Sequence, residues 1–428
     1  MLSCVYNEQV MHPQNFNVHQ DGDMWYTELE PQQAGTQCDL GVTVGSESIE
    51  LVDIIFGDVW VCSGQSNMVF KMKQIFNATE EMEDAARYMD IRFTTITLAT
   101  SAEELDDVTP TFPWSNPSDG LNLQQMSAVC FLTAKHIYDN TGIPQGLINS
   151  CVGGTRVEAW SRQVALQACG IPDNVDEDRP QNSNSNLWNA MIAPLKRMTV
   201  FGFLWYQGEA NAGWNRDLYS CSFPQLISDW RTVFAENSNT NVMAPFGFVQ
   251  LSTIQFGNQG LSYPIMRQHQ LADMGSVPNE KMPNTFMAVS VDTYDEENGI
   301  HPRYKAIVAE RLATTGMNVA YNDDRFPSSG PQIKNVSNER EEGWTFTFTE
   351  DFFYNEAAEI SGFYYCCDTD PEQCKTDLNA ASWPEVPKDF VRQVDVDIMF
   401  ISNAAFTVCT SAELTGTFFD MHNLDLET

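Results

Sequence analysis

Basic residues are scarce in this chain. Its 428 residues include 23 lysines and arginines against 58 aspartates and glutamates, a formal net charge of -35. A surface that acidic repels phosphate backbones and anionic headgroups, which excludes nucleic acid and an acidic membrane surface as partners. It also repels anionic small molecules at long range, so an acidic substrate needs an arginine or lysine at the site itself. No run of eighteen or more uncharged apolar residues occurs, so no helical membrane span is expected. The opening stretch MLSCVYNEQVMHPQNF has neither a basic start nor an apolar core of seven residues, so it does not read as a secretory leader. Histidines number only six, and there is no internal repeat or low-complexity tract.

What is present suits a folded enzyme-sized protein. Hydrophobic residues make up 43%, enough for proper cores, and the length suggests about two or three domains. Eleven cysteines are many for a reducing compartment, and Cys366, Cys367 and Cys374 cluster like disulfide material. Zinc needs a second cysteine or histidine pair nearby, which is lacking, so no metal is expected. The sequons Asn77-Ala78-Thr79 and Asn335-Val336-Ser337 permit N-glycosylation. Together these features lean toward a lysosomal or secreted protein whose leader is missing from this chain.

One stretch organises the rest. The apolar run Leu51 to Phe56, then Val59-Trp60-Val61-Cys62, breaks at Ser63-Gly64-Gln65-Ser66-Asn67. It reads as a buried strand feeding a tight turn, with a helical pattern resuming at Met68 to Phe76. Ser66 would then sit at a strand-to-helix junction, where helix N–H groups and the positive dipole end meet developing negative charge. Such a serine also suits plain helix capping. From about 56 to 315, strands alternate with helices, which implies parallel βαβ units. Gly146 to Val152, Val200 to Tyr206, Pro245 to Leu251 and Phe286 to Val291 read as strands. Met126 to Tyr138, Leu187 to Met198, Phe223 to Phe234 and Arg303 to Leu312 read as helices. In an open parallel sheet the carboxyl ends of the strands line one crevice, and the site is expected there. Residues 1–55 carry only strand-like pieces, at Met24 to Tyr26 and Leu40 to Val44. Residues 316–428 return to period-two and aromatic runs, at Trp344 to Phe348, Gly362 to Tyr365 and Val394 to Phe400, as in a small β-rich domain.

Ester or amide chemistry at a serine needs a base and oxyanion donors. His301 alone among the histidines lies on a loop between a strand end and a helix start. His12, His19 and His422 fall in terminal segments, and His136 and His269 within helical stretches. Donor candidates are the N–H groups of Ser66 and of Gly153 or Gly154, with the Gln207 amide as a third. A histidine capping the next helix, and glycines serving ordinary turns, are the plain alternatives.

The blocks GDVWVCSGQSNM, GLINSCVGGTRVEAWS, LWNAMIAPLKRMTVFGFLWYQGEAN, DLYSCSFPQLISDWR and KMPNTFMAVSVD…GIHPRYKAIVAERL resemble, in order, those of the sialate O-acetylesterases, a branch of the SGNH-hydrolase superfamily. The resemblance runs from about Asp23 to Arg311. It implies a flavodoxin-like three-layer α/β/α catalytic domain over 56–315, a remnant of an N-terminal accessory β module over 1–55, and a β-rich C-terminal domain over 316–428. It implies removal of O-acetyl groups from sialic acid by serine chemistry, without metal or other cofactor. By the same matching, Ser66 is the nucleophile, His301 the base, and Gly154 and Gln207 join Ser66 in the oxyanion hole.

Two positions depart from the pattern. The superfamily has an aspartate three residues before the histidine, and Asn298 stands there, unable to offset an imidazolium charge. Asp292 or Asp295 is expected to orient His301 instead, or a backbone carbonyl orients it and leaves a Ser–His dyad. Arg156 stands where relatives often have proline, and is either a carboxylate contact or a salt-bridge partner. Glu209 is either a substrate contact or a structural anchor. For the sialate carboxylate, Arg156, Arg303 and Arg267 are the candidate cations, with Arg303 best placed beside His301. The alternatives in function are an acetylesterase for other carbohydrates, such as xylan, and a glycan-binding module without catalysis.

Overall fold

The computed structural model describes residues 2–348 apart from 7–8, 11–18, 22–23, 28, 45, 254–261, 331–332 and 340–342. Its centre is a seven-stranded sheet of β1 (Asp58–Gly64), β2 (Ile91–Ile96), β3 (Pro110–Ser115), β4 (Gln145–Cys151), β5 (Gly202–Tyr206), β6 (Phe246–Val249) and β7 (Thr285–Ala288). The order across it is β3-β2-β4-β1-β5-β6-β7, parallel throughout except where β3 pairs with β2. Without the β2–β3 extension, the order 4-1-5-6-7 is the flavodoxin-like arrangement of a doubly wound sheet. β1 lies in its middle, where successive connections leave in opposite directions.

Parallel strands covered on both faces read as continuous apolar runs, and β1 does so, with Trp60, Val61 and Cys62 fully buried. Alternate side chains of a strand serve opposite layers. Cys62 is disulfide-bonded to Cys130 on α2 (Ala128–Thr141), while Trp60 packs edge-on against Phe286 of β7. Tyr321, at the end of α4 (Lys305–Tyr321), stacks on Phe201 in this same layer. On the other face, Phe203 of β5 meets Trp230 and Phe234 of α3 (Tyr219–Asn237) at 5.5 and 5.2 Å between ring centroids. The helix limits follow from chemistry: Ser127 Oγ caps α2 by accepting from the Cys130 N–H, and Gly142, at φ +66°, ends it.

Three local expectations change. The run from Leu51 to Cys62 is two strands, not one. Glu47–Ile55 belongs to a separate antiparallel sheet with Leu2–Tyr6, Gln9–Val10 and Gln37–Val44, and leaves Leu51 and Val52 exposed. The break falls at Gly57, where any Cβ would lie 2.1 Å from the Pro144 carbonyl oxygen. Beyond β1, α1 spans only Ser66–Val69, and a 3-10 turn, Met72–Gln74, replaces the rest of the expected helix. Phe70, at ψ 123°, ends it. The Leu187 to Met198 stretch is likewise a π turn, Trp188–Ile192, running into a 3-10 turn at Ala193–Leu195.

The N-terminal sheet is closed by a disulfide between Cys4 and Cys38. At the other end Ile333–Glu339 and Gly343–Phe348 pair as a hairpin. The strand readings at Gly362 to Tyr365 and Val394 to Phe400, and the Cys366, Cys367 and Cys374 cluster, lie outside the described residues. No helix among the described residues is long and apolar enough to cross a membrane.

The Cys62–Cys130 bridge joins the central strand to a helix across a sequence separation of 68 residues. Its removal in a Cys62→Ala/Cys130→Ala variant is expected to cost about 2–4 kcal/mol, chiefly by freeing the unfolded chain. Urea unfolding followed by tryptophan fluorescence measures this, and an unchanged midpoint would contradict it.

Candidate active site

The carboxyl ends of β4, β1 and β5 lie side by side, and the turn leaving β1 is held between its neighbours. The Gln65 N–H donates to the Tyr206 carbonyl at 2.9 Å, and the Val152 N–H to the Gly64 carbonyl at 3.1 Å. Gly64 has φ +132°, and a Cβ there would stand 2.2 Å from the Tyr206 oxygen, so only glycine lets the turn lie this close to β5. Gln65 Oε1 accepts from the N–H groups of Gly208 (3.4 Å) and Ala210 (3.1 Å), which ties the turn to the loop after β5. Ser66 follows, partly exposed.

On the β4 side, Gly153 and Gly154 are exposed, and a Cβ on Gly153 would lie 3.6 Å from Ser66 Cβ. Asn182 braces this glycine turn, donating to the Gly154 carbonyl at 3.3 Å and accepting from the Arg156 N–H at 3.1 Å. Among the described residues, no backbone acceptor meets the N–H of Ser66, Gly153 or Gly154. Those donors are open to an oxyanion. With α1 only four residues long, aligned peptide dipoles add less than the sequence suggested.

His301 lies in the loop between β7 and α4. Gly299, at φ +56°, turns the chain back so that its N–H meets the Asp295 carbonyl at 2.7 Å. Asn67, next to Ser66, donates to the Ile300 carbonyl at 2.9 Å, so the residues beside Ser66 and His301 are bonded to each other. Burial first, and the positive Lys305 second, hold the His301 pKa below its ordinary value. Among the described residues its ring has no hydrogen-bond or ion-pair partner.

Neither aspartate offered as its orienter bonds its ring. Asp292 gives both oxygens to Arg311 of α4, at 2.7 Å each. Asp295 gives both to Arg303, at 2.6 and 2.8 Å, and this pairing lowers its pKa. The Asn298 side chain donates to the carbonyl of His301 itself. The Asp292 assignment is therefore corrected: both of its oxygens face Arg311 and not the His301 ring.

Gln207 is also corrected. Its amide nitrogen donates to the Thr155 carbonyl (3.1 Å) and to Asn211 Oδ1 (2.7 Å), while its oxygen accepts from the Tyr219 hydroxyl (2.9 Å). Both N–H bonds are spent inside the fold, and none is left for an oxyanion. Glu209 is 9% exposed, with Oε1 accepting from Asn67, so it anchors the site from within and does not face substrate. Burial raises its pKa.

The three arginines differ. Arg303 is held by Asp295 and by Glu297 at 2.7 Å, which neutralises it as a receptor for a third carboxylate. Arg267 is 2% exposed. Arg156 is partly exposed, has no ion pair among the described residues, and stacks on the exposed Trp214 with 3.8 Å between guanidinium and ring centroid. It stands two residues beyond Gly154.

Sequence reasoning passed over Asn67 and Lys305. Lys305 is fully buried, its Nζ donating to Asn67 Oδ1 at 2.6 Å, and burial pushes its pKa down to about 7. The signal was there: Lys305, Val308, Ala309 and Leu312 share one helical face, which puts a lysine on the buried side. Among the described residues no group of three or more His, Cys, Asp or Glu side chains is placed to hold a metal ion.

A family model of carbohydrate esterases, described as sialic acid-specific acetylesterase, matches residues 56–315. The chain is 41% identical over 365 residues to the sialate O-acetylesterase of Mus musculus, covering 75% of this chain and 68% of that protein. To the sialate O-acetylesterase of Homo sapiens it is 42% identical over 334 residues, covering 74% and 64%. It thus spans 64–68% of the length of these curated relatives. A solved carbohydrate acetylesterase from Xanthomonas citri has the same fold, with a TM-score of 0.70 at 24% identity over 86% of this chain and 80% of that one.

The Gln207 assignment has a direct test. A Gln207→Ala variant is expected to lose roughly 2–4 kcal/mol of stability, as three buried hydrogen bonds go. A variant with unchanged melting and turnover cut about a hundredfold would instead restore Gln207 as an oxyanion donor.

Proposed function

The chain belongs to the sialic acid-specific acetylesterase family of carbohydrate esterases, and we propose that it removes O-acetyl groups from sialic acids through an acetyl-enzyme on Ser66. Ser66 Oγ attacks the acetyl carbonyl carbon while His301 takes its proton. The oxygen that becomes negative is met by the N–H groups of Ser66 and Gly154. His301 then protonates the departing sugar oxygen. In the second half, His301 draws a proton from water, water attacks the acetyl carbon, and acetate leaves as Ser66 regains its proton. The observation that carries this reading is the convergence of three loops: a partly exposed serine, an open glycine turn beside it, and the histidine loop bonded through Asn67.

Substrate charge supports sialate over a neutral acetylated sugar. Against a formal charge of -35, an anion needs a local cation. Arg156 on Trp214 is the one of the three candidates whose guanidinium remains open to it. Disulfides Cys4–Cys38, Cys62–Cys130 and Cys169–Cys221 support an oxidising compartment, lysosomal or secreted, and exposed Asn77 suits glycosylation.

Hydrolysis of 9-O-acetyl sialate and of acetyl-xylan by wild type, Ser66→Ala and Arg156→Ala tests the reading. Ser66→Ala is expected to lose roughly 10⁴-fold or more on any ester. Arg156→Ala is expected to raise KM about tenfold for the sialate alone. Preference for acetyl-xylan in wild type, or equal turnover without Ser66, would refute it.

The pH profile follows from the sign of the His301 shift. The base acts when neutral, and its pKa is lowered, so the acid limb of kcat/KM falls below pH of about 6.5, the ordinary histidine value. A limb at or above that value would contradict the environment described.

A further inference from the structure

Three buried side chains from three distant segments meet behind Ser66. Asn67 Nδ2 donates to Glu209 Oε1, of the loop after β5, and to the Ile300 carbonyl, beside His301. Asn67 Oδ1 accepts from Lys305 Nζ, at the first turn of α4. Both its amide N–H groups and its oxygen are thus used to join the serine turn, the β5 loop, the histidine loop and α4. Exposures of 2%, 9% and 0% for Asn67, Glu209 and Lys305 keep the group from touching substrate. Lys305 Nζ also faces the rings of Phe70 and Tyr206, 5.1 Å from each centroid, so its ammonium is fixed from several sides.

A buried lysine and carboxyl are costly to hold, and replacing them by apolar side chains would often be neutral or favourable for stability alone. Their position points to another role. Asn67 is covalently next to the nucleophile, Ile300 is next to the base, and one amide sets the distance between them.

We propose that Asn67, Glu209 and Lys305 form a buried positioning unit that aligns the His301 loop on the Ser66 turn. This rests on reading Ser66 and His301 as the catalytic pair. The three residues act through that alignment, with Asn67 as the bridge, Lys305 fixing its oxygen and Glu209 fixing its nitrogen. Glu209 Oε2 has no partner among the described residues, so one oxygen suffices for this task, and glutamine can supply it.

The test uses turnover of a small aryl acetate, with melting recorded for each variant. Asn67→Ala is expected to lower kcat about a hundredfold, the cost of a misplacement near 1 Å, with KM within about threefold and melting still cooperative. Glu209→Ala is expected to lose at least about tenfold in kcat, and Glu209→Gln to recover most of it. If Asn67→Ala does not fold, the Glu209 pair decides alone. Wild-type kcat in Asn67→Ala, a rise in KM with kcat unchanged, or equal losses in both Glu209 variants would overturn the proposal. Ser66→Ala measured alongside separates the two readings. Turnover retained there removes the catalytic pair and the positioning unit together, whereas its loss with Asn67→Ala unaffected removes only the latter.

Discussion

The contact between Gly64 and the carbonyl of Tyr206 sets the rest of the site. A side chain on Gly64 would collide with backbone, which has nowhere to move inside a paired sheet. With glycine there, β1 ends in a turn pinned to β5 on one side and, through Val152, to β4 on the other. Ser66 is consequently delivered at the switch point of a doubly wound sheet, where three strand ends form one crevice. The precision comes from rigid, buried strands, while the exposed glycines of the β4 loop leave room for substrate.

Charge at the site is largely settled within the protein. Asp292 is tied to Arg311, Asp295 to Arg303, and Glu209 sits behind Asn67 with Lys305 nearby. This pairing offsets carboxylate charge that would otherwise repel the anionic substrate proposed above. It leaves Arg156 as the open cation among those considered. It also leaves His301 with a buried neighbour of positive charge and no described carboxylate partner, which favours the neutral imidazole that a base requires.

Much of this was readable in the sequence because it is local. An apolar run stopping at Ser63 to Asn67, alternating strands and helices, and a loop histidine all follow from periodicity and turn chemistry within about fifteen residues. What was not readable depends on distant partners. Gly57 splits two strands because of Pro144, and Gln207 loses its free N–H groups to Thr155 and Asn211. Asp292 was offered for His301 from proximity in sequence, but an arginine 19 positions later takes both its oxygens. The shortness of α1 escaped notice for a related reason: Met68 to Phe76 is apolar in a helical rhythm, yet the chain leaves the helix at Phe70 and buries Met72 through a 3-10 turn, with Phe76 left exposed.

The central claim is that Ser66 is reactive because the His301 loop is held against its turn. Labelling by a fluorophosphonate probe, with the modified peptide identified by mass spectrometry, tests it most directly. The account predicts a single adduct on Ser66 in the wild-type protein and a labelling rate reduced at least about a hundredfold in His301→Ala. An adduct on another serine, or equal labelling of Ser66 without the imidazole, would contradict it.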